Sequence, residues 1–380
     1  MGNNTKTFKA HAPSTSSESL SVDIDIKAAQ RLLNLFSAAF APLLASDSLP
    51  SLLQDIKQAL FRRDFAAAFS RPDFLDAYAA RWSPPRAVCY AAVLRDVAFH
   101  LNGLVSDEAP QRNDDAEPME LSIKHQTGNV KLHKGDLCPE TNAPPAYSAN
   151  QQAISPKNPR KKLRMLAIGG CAAEVVAFAS HLCDSPLDGS LMLVDSAPWS
   201  AVTSLLQTTI VSPLPLSKYA SAAARAGNQP FLSPASRLSL SFFQADVLSL
   251  SRDALSAMTT NQPLLVTLLF TLNELYTIGG IAQTTKFLGV LGDVLAAGSL
   301  LLVVDSPGSY SEAKVGKADK RYPMQWLLQH TLLDTKTTSF TWEKLESHDS
   351  IWCRLPAELS YPIQLEDMRY QIHLYQIRKP

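Results

Sequence analysis

Asn273 and Glu274 stand just past an apolar run, Leu264-Leu-Val-Thr-Leu-Leu-Phe-Thr-Leu, that is bounded upstream by Pro263. A run of that length reads as a strand buried on both faces. In open α/β sheets ligands bind beyond the carboxyl ends of such strands. The carboxamide offers a donor and an acceptor to a planar heterocycle. The carboxylate either takes a proton in catalysis or caps the helix that follows. The pattern recurs at Ser299-Leu-Leu-Leu-Val-Val-Asp-Ser, where a second apolar run ends at Asp305 and Ser306.

Three earlier runs end in the same way. Ile168 passes into Gly169-Gly170-Cys171-Ala172-Ala173-Glu174, a small-residue turn that leads straight into a helix. Such a turn lets backbone approach a ligand, and the helix N-terminus presents free N–H groups. The spacing is that of neither a dinucleotide nor a nucleoside-triphosphate fingerprint. Val194 is followed by Asp195, at the offset from the glycines where an acidic residue meets a ribose diol. Taken alone, Asp195 could equally cap the turn Ser196–Trp199. Gln244-Ala-Asp246-Val247 supplies another carboxylate, which also suits a cap. Four strands in succession thus carry a small-residue turn or a carboxylate at one edge, and together they describe a pocket for an adenosine-like ligand.

The elements that must position these residues follow from periodicity. Short strands are expected at Leu163–Ile168, Leu191–Val194, Leu238–Phe243, Leu264–Phe270 and Leu300–Val304, with Ala-rich helices such as Ala172–Cys183 and Ile281–Ala296 between them. This is a mostly parallel sheet covered by helices. Strands Ser339–Leu345, Ser350–Leu355 and Arg369–Ile377 then predict an antiparallel edge. Upstream, residues 23–104 read as a small all-helical domain. Leu53, Ile56 and Leu60 share a face there, Asp64 and Asp73 suit helix starts, and Pro84-Pro85 suits the opening of a helix Ala87–Leu104. Residues 1–22 read as a disordered lead, 105–160 as a disordered linker, and 161–380 as the sheet domain.

Composition bounds the partners. The 35 basic and 35 acidic residues cancel, so a nucleic-acid partner must be met by a local patch. One such patch is Lys157-Asn-Pro-Arg-Lys-Lys-Leu-Arg164, read as a solvated linker end or as a nuclear-import or phosphate-contacting run. Another is Lys314, Lys317, Lys320 and Arg321. Arg62, Arg63, Arg81 and Arg86 in the helical segment would be a third, although no motif marks them. Five cysteines without CxxC spacing support neither a disulfide framework nor a zinc site, and no His/Cys/Asp grouping has metal-ligand spacing. A reduced intracellular setting is expected, with no signal peptide and no apolar run long enough to span a bilayer. Met1-Gly2 with Thr5 fits a lipidation pattern only loosely.

The order of glycine turn, Asp195, Asp246 and Asn273-Glu274 is similar to that of a class I S-adenosylmethionine-dependent methyltransferase. Five segments narrow the resemblance: Pro213–Ala220, Leu264–Tyr276, Val304–Tyr310, Tyr322–Leu328 and Tyr78–Pro84, together with Arg63-Asp-Phe. They resemble the fungal 25S rRNA uridine-N3 methyltransferase family over most of the chain outside residues 1–22 and the linker. The turn departs from that pattern in having Cys171, Ala172 and Ala173 where more glycine is expected.

The resemblance implies a Rossmann-like fold and S-adenosyl-L-methionine as cofactor, held by Gly169, Gly170, Glu174, Asp195 and Asp246. It implies Asn273, Glu274 and Asp305 as the catalytic group, with Asn273 reading the base. Ser306, Tyr310, Lys317 and Arg321 would bind substrate, and Tyr310, Tyr322 and Trp326 are aromatic platforms. For Trp326, core packing is the expected role. The implied partner is 25S rRNA or a pre-ribosomal particle, met by a monomer in the nucleus, nucleolus or cytoplasm, without metal or membrane. Against this stand a catalytically silent methyltransferase fold serving ribosome assembly, and methylation of a protein or small molecule.

Overall fold

Five apolar runs become adjacent parallel strands because each is apolar on both faces and needs helices above and below. They are β1 (Lys162–Ile168), β2 (Asp188–Asp195), β3 (Leu238–Gln244), β4 (Leu265–Leu269) and β5 (Leu300–Asp305). Every residue of β4 and β5 is buried. In this computed structural model the described residues are 20–105, 160–308, 310–315, 318–335 and 337–380. The expected disordered lead up to residue 19, nearly all of the linker, and Lys157 to Pro159 of the basic run lie outside them.

After β5 come a two-stranded hairpin, β6 (Tyr310–Val315) and β7 (Ala318–Pro323), and then β8 (Thr341–Cys353) and β9 (Met368–Arg378). The seven-stranded sheet runs β3-β2-β1-β4-β5-β9-β8. β1 pairs with β2 on one side and β4 on the other, both parallel. The strand order therefore reverses between β1 and β4, and a crevice opens beyond their carboxyl ends. β9 pairs antiparallel with β5 and with β8. The antiparallel member is thus one strand in from the edge, and β8 forms the edge itself.

Two expected strands, Ser339–Leu345 and Ser350–Leu355, are one continuous β8. Register shifts between Lys344 and Glu346 and between His348 and Ile351 interrupt its alternation, which is how bulges hide a long strand from a period-two reading. The β6–β7 hairpin is not among the expected strands, since its charged residues give no apolar alternation. The helix expected at Ile281–Ala296 is the second half of Leu272–Val294, kinked at Gly280 (φ 69°, ψ 177°), a conformation open only to glycine. Upstream, Asp64 caps Phe65–Ala68 as expected, accepting from the Ala67 N–H at 3.0 Å. Pro84 and Pro85 lie in the first turn of Ser83–Asp96, and a separate turn, Ala98–Leu101, follows.

The helical segment does not stand apart from the sheet. Leu32, Leu33 and Phe36 of the helix Ile26–Ala39 and Val88, Tyr90 and Val93 of Ser83–Asp96 share one core with Phe178, Leu193 and Leu302. The described residues of 20–105 and from 161 onward form a single compact unit. A second core on the opposite face of the sheet joins Val266 and Val303 to Leu288 and Leu291. Among the described residues no helix is long and apolar enough to cross a membrane.

Candidate active site

The glycine turn shows what the crevice requires of its backbone. Gly169 has φ +67°, and a Cβ there would lie 2.4 Å from the Thr271 side chain. It is the only residue of the turn in the left-handed region. Cys171 adopts φ −142°, and the helix Ala172–Cys183 has begun by the next residue. The turn needs one left-handed residue and carries glycine there, so Cys171, Ala172 and Ala173 stand where no left-handed backbone is required. The Glu174 carboxylate turns back to accept the Cys171 N–H at 2.8 Å, closing a capping box.

Two cavities meet at this turn. The first, about 730 Å³, runs along the ends of β1, β2 and β3 and is lined by Gly169, Asp195, Asp246 and Val247 and by Leu275 and Ile278. Ile278 is 66% exposed, so a flat apolar ligand there would cover side chain that now faces water. The second, about 450 Å³, is lined by Arg86, Glu174, Phe270 and Glu274 with Tyr78 and Tyr90 among its aromatic walls. Gly169, Asp195, Thr271 and Glu274 border both.

Three carboxyls line the second cavity, Glu174, Asp195 and Glu274, and the last two belong to the shared wall. Burial pushes the Glu274 carboxyl up to about 8; Arg86 works against the shift, and Asp195 and Asp305 add to it. Burial likewise raises Glu174 to about 7, opposed by the Cys171 amide and Arg86. Asp195 rises to about 6 through burial, opposed by the Ala197 amide and the Trp199 indole. Three carboxyls thus face one guanidinium. A ligand carrying a sulfonium and an ammonium group fits that donor set, as it fits the narrow turn at Gly169.

Arg86 is the residue that sequence reasoning placed elsewhere. The helix Ser83–Asp96 brings it from the N-terminal segment into the second cavity, where it donates to the Tyr78 hydroxyl. Its guanidinium lies 5.5 Å from the Tyr78 ring centroid and 5.3 Å from that of Phe270. Phe270, whose N–H donates to the Val304 carbonyl at 2.7 Å, stacks on Tyr90 with centroids 6.4 Å apart. It adopts φ +59°, a left-handed angle uncommon for so bulky a side chain. Strain of this kind persists where surrounding structure overdetermines it, and such residues cluster at active sites. The one signal available beforehand was an aromatic residue at the very end of a buried strand.

The remaining expectations divide. Gly169, Gly170, Glu174, Asp195, Asp246 and Glu274 converge on this edge of the sheet. Asp246 lines the first cavity while capping its own turn, accepting from the Leu248 N–H at 3.0 Å and the Ser249 hydroxyl at 2.9 Å. Asp305 is buried at 2% exposure, and its two oxygens accept the N–H groups of Asn273 (3.0 Å) and Ser306 (2.8 Å). It holds the start of the helix Leu272–Val294 in place and lines neither cavity. Asn273 lines neither as well, and its buried Oδ1 has no hydrogen-bond partner. The Ser306 carbonyl accepts from the Gln371 amide at 2.8 Å.

Tyr310 and Arg321 fall on the hairpin, in register with Pro323 and Glu312. Lys317 lies outside the described residues. Trp326, expected in the core, is 49% exposed and stacked between Tyr322 and His330, with centroids 5.2 and 5.1 Å away. The Leu-rich helix Met324–Gln329 buries Leu327 and Leu328 on its other side and leaves Trp326 outside. Among the described residues no group of His, Cys, Asp and Glu could hold a metal ion.

The chain is similar to known methyltransferases. The chain is 28% identical over 357 residues to the Saccharomyces cerevisiae protein named 25S rRNA (uridine(2843)-N(3))-methyltransferase, covering 91% of this chain and 85% of that one. The N-methyltransferase NodS of Bradyrhizobium japonicum is 14% identical, covering 57% of this chain and 86% of its own, with a TM-score of 0.30. A SAM-dependent methyltransferase of Methanosarcina mazei is 12% identical, covering 56% and 91%, with a TM-score of 0.30. The model of the family described as "Putative SAM-dependent methyltransferase" matches residues 36–376. With the sheet order, the reversal at β1 and the carboxylate-lined crevice already in place, the chain belongs to that S-adenosylmethionine-dependent methyltransferase family.

Proposed function

We propose that this protein methylates N3 of a uridine in large-subunit rRNA, with Glu274 as the base. The observation that carries this reading is the aromatic chamber beside the cofactor cavity, in which the Glu274 carboxyl lies in the field of the Arg86 guanidinium. The similarity to the yeast enzyme over 91% of the chain supports the choice of substrate.

When bound, S-adenosyl-L-methionine supplies an electrophilic methyl group. Gly169, Asp195 and Asp246 would hold it, with Val247, Leu248 and Leu275 as an apolar wall for the purine. The chain's own task is to prepare the nucleophile. Uridine N3 carries a proton and lies on the Watson–Crick edge, so the base must enter unpaired. Phe270, Tyr78 and Tyr90 offer the ring faces against which an unpaired base stacks. The Glu274 carboxylate, more basic than an ordinary one, takes the N3 proton as the N–CH₃ bond forms. The negative charge that spreads toward O2 and O4 is met by the Arg86 guanidinium, fixed in advance by Tyr78 and Phe270. Asn273, away from the chamber, is not given the base-reading role.

A ribosomal substrate implies action in the nucleolus or the cytoplasm by a monomer. The basic run ending at Arg164 is consistent with nuclear import. The test is to map N3-methyluridine in large-subunit rRNA from a deletion strain and to restore it with purified protein. Loss of one modified site, restored on addition, is expected. An unchanged map removes the RNA assignment in favour of a protein or small-molecule substrate. Failure to bind S-adenosylmethionine at millimolar concentration in a calorimeter overturns the enzyme reading.

A further inference from the structure

A third cavity, about 560 Å³ and open to solvent, adjoins the aromatic chamber through Arg86 and Phe270. Arg81 and Trp82 form one side of it, and Asp367 and Arg369 the other, with Glu366 at its rim. Three cavities therefore run in series along the sheet edge, from the cofactor end at Asp246 to this outer one. Arg81 is the notable member. Its side chain is 14% exposed, its guanidinium lies 5.8 Å from the Trp82 ring centroid, and its buried Nη1 has no hydrogen-bond partner. Its Nη2 donates at 2.6 Å to the carboxylate of Glu366, which is itself 65% exposed.

Unlike Glu366, the other acid here is engaged by backbone, since Asp367 accepts the Leu355 N–H at 2.9 Å. Arg369 is exposed and donates to the Ser350 hydroxyl. A guanidinium with a buried, unsatisfied nitrogen, next to an indole ring and covered by an exposed carboxylate, has the makings of a phosphate fork.

Resting on the rRNA reading above, we infer that this outer cavity receives the nucleotide next to the target uridine. Arg81 binds its phosphodiester in a bidentate fork, Trp82 stacks its base, and Glu366 holds the fork until the RNA phosphate displaces it. The reacting base then sits one cavity inward, beside Arg86 and Glu274, and the backbone stays at the mouth.

Opposite signs test this. The probe is a uridine-centred single-stranded nonaribonucleotide, titrated at several salt concentrations. Arg81→Gln weakens its binding by about tenfold, as loss of a charged hydrogen bond does, and the slope of log affinity on log salt falls by about 0.7. Glu366→Gln removes the competing anion and tightens binding by about threefold. Both variants keep wild-type affinity for S-adenosylmethionine. For the wild-type protein, a neutral methylphosphonate at the linkage flanking the uridine abolishes the difference from Glu366→Gln, a readout that needs no Arg81 variant to fold.

If both substitutions weaken RNA binding and lower Tm together, the pair is only a structural bridge and the inference fails. It fails equally if no flanking methylphosphonate weakens binding while rRNA methylation proceeds normally, which leaves the uridine reading standing. A wild-type protein that binds S-adenosylmethionine yet neither binds nor methylates the RNA overturns both.

Discussion

In the proposed mechanism Glu274 and Arg86 carry the chemistry through their mutual placement. Neither group is unusual alone; enclosure makes the carboxyl basic and keeps the guanidinium fixed. Replacing Glu274 with Gln should lower kcat by about a hundredfold or more, the usual range for a lost general base, while folding is preserved. The kcat/KM–pH profile of the wild type, which reports the free enzyme, should rise through about 8, where the Glu274 carboxyl ionises, and the variant should lose that limb. A variant that keeps the limb would place the base elsewhere.

The same residues predict a pH dependence of cofactor binding. Glu174, Asp195 and Glu274 keep their protons to about 7, 6 and 8 in the free protein, above the ordinary carboxylate range. A folded state that binds more protons than the unfolded one loses stability as pH rises. The contribution is therefore present near pH 4 and is lost between there and about 8. A cationic ligand favours the ionised carboxylates, so S-adenosylmethionine should bind more tightly as pH rises from about 5 to 8, with protons released on binding. Calorimetry in buffers of different ionisation heat measures both. Affinity that is flat across this range would show that the carboxyls do not meet the ligand's charge.

At the scale of elements, the turn after β1 and the helix Leu272–Val294 separate glycines that the backbone needs from those it does not. Gly169→Ala places a Cβ against Thr271 at a left-handed φ. It should destabilise the protein by about 1–3 kcal/mol and abolish S-adenosylmethionine binding. Gly289 sits in the same helix as Glu274, with open space around it and no left-handed φ. Gly289→Ala should be neutral or stabilise by up to about 1 kcal/mol, since alanine is the better helix former. Thermal unfolding of the pair, with and without the cofactor, checks the contrast.

The elements themselves were largely legible. The helix Ala172–Cys183 was readable to the residue, and β1 to β5 to within a few residues, because an apolar run bounded by polar residues leaves little choice. The hairpin after β5 was not legible, and β8 read as two strands rather than one, since charged strands and register shifts erase the alternation on which such a reading depends.

For the molecule as a whole, the N-terminal helices are part of the enzyme's core. Leu32, Leu33 and Phe36 are buried against the same cluster as Phe178 and Leu193, each worth about 1.5–3 kcal/mol of burial. Removing residues 1–105 should therefore leave a chain that exposes apolar surface, binds a hydrophobic dye and fails to bind S-adenosylmethionine. A truncated chain with a cooperative unfolding transition and intact cofactor binding would show that the sheet region folds alone.

By itself, the sequence determined which residues end the strands, and so which carboxylates gather at one edge of the sheet. Local patterns suffice for that, because strand length and polarity are properties of contiguous residues. Only the tertiary structure decided among them. It turned Glu274 into the chamber and Asn273 away from it, spent Asp305 on holding two backbone N–H groups, and left Trp326 on the surface. It also delivered Arg86 from a helix well over a hundred residues upstream of Glu274. No local pattern encodes that meeting, because packing of the helix Ser83–Asp96 against the sheet's own helices is what brings the guanidinium to the carboxylate.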